Sequence, residues 1–166
     1  MSTPVAPIPE GFRSVTPHIV VKDARAALDF YKAAFGAEEL CFVPGPGGEG
    51  CTHAEFKIGD SMLMLAQEME GMEHWLSPET HGGTTVALHI YTEDTDAAFQ
   101  RAVDAGGAPG MPPMDMFWGD RYARVTDPFG HEWSLATHMK DLTPEQIQAG
   151  QEAFFASFQD GSPCSE

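Results

Sequence analysis

The chain repeats itself. Displaced by 71 positions, His18 falls on His89, Ile19 on Ile90, Asp23 on Asp94, and Ala26 and Ala27 on Ala97 and Ala98. Ala34, Gly36 and Ala37 fall on Ala105, Gly107 and Ala108, giving 8 identities over the 20 positions from 18 to 37. A duplication constrains the fold more than any local propensity, because both copies must form the same supersecondary unit. Two copies are too few for a solenoid. They suit a pair of half-domains related by a pseudo-twofold axis.

Each copy reads β-α-β-β-β. In the first, Val15–Val21 is apolar and β-branched, as strands are. Asp23 is a helix cap, and Ala24, Ala27, Leu28, Tyr31 and Phe35 follow at helical spacing until Gly36. Glu39–Val43, Thr52–Ile58 and Met62–Ala66 complete the unit, with a loop at 44–50 and a turn at Gly59-Asp60. In the second, a strand at Thr84–Tyr91 precedes a helix at 95–105, capped by Asp94 and ended by Gly106-Gly107. Pro112–Trp118 makes a poor strand, while Arg121–Thr126 and Glu132–Thr137 make better ones about the turn Asp127-Pro128-Phe129-Gly130.

The expected organisation is an extended proline-rich arm at 1–12 and one domain at 13–142. The domain divides into module one at about 13–68, a connector at 68–83 and module two at about 84–139. A C-terminal helix at 143–158 and a disordered tail at 159–166 follow. Thr143-Pro144-Glu145-Gln146 is a capping-box signature for that helix. Its Ile147, Phe154, Phe155 and Phe158 form a stripe that requires cover.

Charge removes several functions. With 25 acidic residues against 9 basic, the net charge is −16. Such a surface repels phosphate backbones and anionic lipid, so neither nucleic acid nor membrane is an expected partner. The start MSTPVAPIPEGF has neither a basic n-region nor an apolar h-region, so a cytoplasmic protein is expected. Cysteines at 41, 51 and 164 match no disulfide or zinc spacing.

Three segments carry a family resemblance: VTPHIVVKDARAALDFYKAAFGAEE, the turn in KIGDSMLML, and RVTDPFGHEWSLATH. Together they resemble the vicinal oxygen chelate superfamily (glyoxalase, bleomycin-resistance protein and dioxygenase), and its PhnB-like branch in particular. The resemblance spans about Phe12 to Leu142. It implies an α+β fold of two tandem βαβββ modules forming a half-open, cup-shaped mixed sheet. It also implies frequent homodimers, and in the enzymes a divalent metal held by one side chain from each of four strands.

Strand alternation decides what faces the cup. Ile19 and Val21, Leu88 and Ile90, and Trp133 and Leu135 are expected against the helices. His18, His89, Glu132 and Ser134 then face inward. The superfamily's ligand positions fall on Thr16, Ala87, Ser134 and, within one residue, Met64. Those side chains do not suit a divalent ion, so no cofactor is expected. The symmetric histidines His18 and His89 remain as candidates for ligand contact, for general acid–base work, or for a displaced metal site with Glu132. Arg121 is expected in the cup opposite Ala136, to meet Glu132 or an anionic ligand. Trp118 is a candidate aromatic wall and Met64 an adaptable lining. The connector, with Trp75, is a candidate lid or a plain link. The expected function is binding of a small organic molecule without the usual metal site. The alternatives are a metal-dependent enzyme of lyase, isomerase or dioxygenase type, or a metal-free acid–base enzyme.

Overall fold

A computed structural model describes residues 5–72 and 74–159, except for the side chains of 158 and 159. The expected arm at 1–4, tail at 160–166 and Phe158 side chain lie outside the described residues. Module one contains β1 (His18–Val21), α1 (Ala24–Phe35), β2 (Glu38–Pro44), β3 (Cys51–Ile58) and β4 (Ser61–Gln67). After α2 (Pro78–His81), module two contains β5 (Ala87–Tyr91), α3 (Thr95–Asp104), β6 (Ala108–Asp115), β7 (Asp120–Thr126) and β8 (Glu132–His138). The chain closes with α4 (Pro144–Gln159).

The duplication read from the sequence is present as topology. One sheet has the order β1-β4-β3-β2 and the other β5-β8-β7-β6. In each module the first strand pairs parallel to the last, with the helix as crossover, and the other pairs are antiparallel. The sheets do not join; β1 and β5 remain as edges.

Capping sets the helix limits. The Asp23 carboxylate accepts from the N–H groups of Arg25 and Ala26, and Gly36 ends α1 at φ 68°. Asp94 accepts from Ala97 N–H at the start of α3. At α4 the capping box is reciprocal. Gln146 N–H donates to the Thr143 hydroxyl at 3.3 Å, and Thr143 N–H donates to the Gln146 side chain at 2.9 Å. Phe154 and Phe155 cover Phe117, with centroids at 5.6 and 6.4 Å.

Three elements differ from expectation. The sixth strand lies at Ala108–Asp115, earlier than Pro112–Trp118, and carries three prolines. It tolerates them because it is an edge strand with register shifts, where a missing N–H removes no ladder bond. Phe117 and Trp118 sit instead in the turn to β7, closed by Met116 N–H to Asp120 O at 2.8 Å. The connector holds a short helix, because Ser77 caps it and the Glu68 carboxylate binds both Ser77 N–H and the Thr80 hydroxyl. Finally, Thr126 pairs with Glu132 rather than His131.

The modules meet through α1. Tyr31 stacks on Phe56 of its own sheet at 5.4 Å and packs against Trp133 of the other at 5.3 Å. Phe35 lies 4.6 Å from Trp133. At the centre is Asp127, whose side chain has no exposed surface. Its Oδ2 accepts from Tyr31 OH and Trp133 Nε1–H, both at 2.9 Å. Its Oδ1 accepts from the N–H groups of Phe129 and His131, also at 2.9 Å. Burial opposes ionisation here, but these donors and the His131 ring, 3.4 Å away, hold the carboxyl below its usual range.

Asp127→Asn should therefore cost about 3 kcal/mol, and Tyr31→Phe about 1 kcal/mol, in urea denaturation at pH 7. The depressed carboxyl stabilises the fold above the unfolded value, near 3.9, and that contribution is lost as pH falls through the lower folded value. Melting from pH 7 to 2 should show the gap between wild type and Asp127→Asn constant above about pH 5 and closing below about pH 4.

Candidate functional site

Alternation gives each sheet one face toward the helices and one open face. Ile19, Val21, Trp133 and Leu135 are buried on the helix side, as expected, and Phe56 and Leu65 join them there. On the open face of sheet one, register aligns His18, Met64, Glu55 and Cys41 in a row. The matching row on sheet two is His89, Ser134, Arg124 and Met111. The two histidines thus hold equivalent positions, but their surroundings differ.

Around His89 the open face is aromatic. Its ring lies 4.7 Å from Tyr91 and 6.1 Å from Tyr122, the latter stacked. Trp118 meets Tyr122 edge-on at 5.4 Å. Ser134, the neighbour of His89, shares a 2.9 Å hydrogen bond with Tyr122 OH. Asp120, only 5% exposed, anchors the group. It accepts from Trp118 Nε1–H at 3.1 Å, from Tyr91 OH at 3.4 Å, and pairs with His138 Nδ1 at 2.8 Å. His138 Nε2 lies 3.0 Å from Asp141. The two carboxylates, Asp120 first, hold His138 above its usual imidazole value.

Around His18 the open face is a histidine pair under the connector. Trp75 meets His18 edge-on at 4.9 Å, and His53 lies 5.9 Å away. His53 Nε2 pairs with Glu55 at 3.1 Å. Partial burial, and then the neighbouring His53 charge, lower the pKa of His18. His18 is therefore neutral at pH 7.

Arg121 is the correction among the candidates. It stands opposite Thr137, not Ala136, because the DPFG turn is one residue out of the expected register. A one-residue slip moves a side chain to the other face. Arg121 accordingly binds Asp96, at the start of α3, through two nitrogens at 2.6 and 2.7 Å, and Asp115 at 3.1 Å. These bonds raise its pKa further, so its charge is permanent. Arg124 takes the open-face position instead and pairs with Glu132 at 2.9 Å. Glu132 also accepts from Thr126 at 2.7 Å.

The residues do not fit a divalent ion. At the positions implied by the resemblance, Thr16 and Ser134 offer hydroxyls, Met64 a thioether and Ala87 a methyl group, and the Ser134 hydroxyl is already bonded. The displaced trio of His18, His89 and Glu132 is not assembled. Among the described residues, no three His, Cys, Asp or Glu groups form a metal-holding cluster.

Strand alternation already places Tyr91 on the cup face beside His89, whereas Tyr122 and Asp120 are not among the residues expected from sequence. The alternation that places Ser134 on the cup face also places Tyr122 there once the turn register is known. No residue pattern marks Asp120 as the anchor.

Residues 13–135 match the family described as the Glyoxalase/Bleomycin resistance protein/Dioxygenase superfamily. Uncharacterized protein Rv0887c of Mycobacterium tuberculosis is 43% identical over 138 residues, covering 82% of this chain and 81% of the relative. An X-ray structure of an Arabidopsis thaliana gene product superposes with TM-score 0.60 at 26% identity, over 75% of this chain and 98% of that one. A PhnB protein from Bacillus cereus, titled a putative 3-demethylubiquinone-9 3-methyltransferase, superposes with TM-score 0.59 at 16% identity. It covers 75% of this chain and 99% of that one, and its likeness is one of fold.

Histidine NMR titration checks the electrostatics. His138 should titrate above 6.5, and Asp141→Asn should bring it down. His18 should titrate below 6.5, and His53→Gln should bring it only part of the way back, because burial is the larger cause.

Proposed function

Because the chain belongs to the Glyoxalase/Bleomycin resistance protein/Dioxygenase superfamily, we propose that it is a small-molecule-binding protein that holds a planar organic cation on the open face of sheet two. One observation carries this reading: His89, Tyr91, Tyr122 and Trp118 gather around the nearly buried Asp120. Ring faces attract cations, and indole most strongly. A carboxylate beneath them favours positive charge, and the net charge of −16 raises the local concentration of cations. The one arginine on this face, Arg124, is already neutralised by Glu132. The non-ligand residues at the metal positions fit binding better than metal-dependent turnover.

A homodimer is part of this proposal. Val15, Val86 and Tyr91 are 83, 64 and 64% exposed beside the free edges of β1 and β5. Apolar side chains beside unpaired strand edges favour cover by a second copy. Light scattering should give twice the 18.0 kDa chain mass.

Metal-free acid–base chemistry keeps one point in its favour: neutral His18 beside the His53–Glu55 pair. Conversion of a bound compound by wild type but not by His18→Asn, followed by mass spectrometry, would establish it.

Fluorescence titration with acridine orange tests the binding reading. Saturable binding is expected, weakened roughly tenfold by Trp118→Ala or Tyr122→Ala. Trp75→Phe should leave it unchanged. Equal binding by all three variants would sink the assignment.

A further inference from the structure

The seam between the modules holds a cavity of about 690 Å³, separate from the aromatic face except where β5 borders both. That volume lies within the usual range for a small-molecule site. Its interior is apolar, with Phe35 from α1, Leu63 from sheet one, and Leu88, Ile90, Trp133 and Leu135 from sheet two. Its lining also includes Arg13 and Arg101.

Those two arginines stand apart in this chain. Of its five arginines, Arg25, Arg121 and Arg124 are each paired with a carboxylate. Among the described residues, Arg13 and Arg101 have no carboxylate within ion-pair distance. Arg13 makes only a 3.5 Å contact to the adjacent Phe12 carbonyl. In a chain with 25 acidic residues, both arginines without a carboxylate partner are among the residues that line this one cavity. One acid is also in the lining, Asp60, and it accepts from Ser61 at 3.0 Å. The β5 strand contributes Ala87 to Tyr91 along its unpaired edge, where outward peptide N–H groups have no strand partner.

We propose that this seam binds an amphipathic anion, with a carboxylate head between Arg13 and Arg101 and an apolar body inside the cavity. Guanidinium groups recognise carboxylates by paired, charge-assisted hydrogen bonds. The apolar walls then select a hydrocarbon or aromatic body over a small hydrophilic acid. This site shares His89 and Tyr91 with the cation site proposed for sheet two but rests on different charged groups and has the opposite charge preference.

The test is calorimetric titration of the full chain with dodecanoate and with dodecyltrimethylammonium, which has the same tail and the opposite charge. One dodecanoate should bind per chain, more weakly in 1 M salt. The ammonium compound should bind at least tenfold more weakly at the seam. Arg13→Gln/Arg101→Gln should weaken dodecanoate about tenfold, while acridine orange still binds and so reports an intact fold. Leu88→Trp, which fills the cavity, should abolish dodecanoate binding. Equal affinity for the two surfactants, or undiminished binding by either variant, overturns the proposal. A dimer that takes up no dodecanoate also overturns it, since the second copy then covers the seam.

Discussion

A buried carboxylate locks the two halves of this chain together. Asp127 belongs to the β7–β8 turn, yet one of its donors is the Tyr31 hydroxyl on α1 of the other module. An ionised group without exposed surface is tolerated only when donors surround it, and removing any of them leaves charge uncompensated. The bonds also fix Trp133 and the turn, and with them the phase of β8. With Trp133 and Leu135 committed to the helix side, Glu132, Ser134 and Ala136 must take the other face. The aromatic group around Asp120 is a consequence of that phase.

The duplication made most of the architecture legible. His18/His89 and Asp23/Asp94 marked equivalent strands and caps, and the two sheets repeat one topology. The phase of β1, β5 and β8 was legible too, because one face of each is apolar where it meets a helix, whereas β4 is apolar on both faces and its phase was not. Two things were hidden. The turn register at Asp127 depends on which residue accepts across the hairpin, and an error of one residue placed Arg121 on the wrong face. The edge position of β6 is a property of sheet order, so its three prolines read as evidence against a strand. Site chemistry was less legible than the fold. Asp120 draws Tyr91, Trp118 and His138 from three different elements, and no local pattern announces such convergence.

Pseudo-symmetry in backbone has not meant symmetry in chemistry. His18 and His89 occupy corresponding register positions beside Met64 and Ser134. One lies beneath Trp75 with a His53–Glu55 pair nearby; the other stands among tyrosines. The superfamily's fold is therefore kept while the side chains at its equivalent positions differ between the two halves. Fold constrains where a site can lie, and the side chains there decide what it can hold.

The three indole N–H groups, from Trp75, Trp118 and Trp133, offer the most direct test of where a cationic ligand binds. They lie at the connector, the open face of sheet two and the inter-module core. In an ¹⁵N-labelled protein titrated with acridine orange, the Trp118 resonance should shift saturably while those of Trp75 and Trp133 stay in place. Movement of Trp75 or Trp133 with Trp118 unchanged would contradict the account.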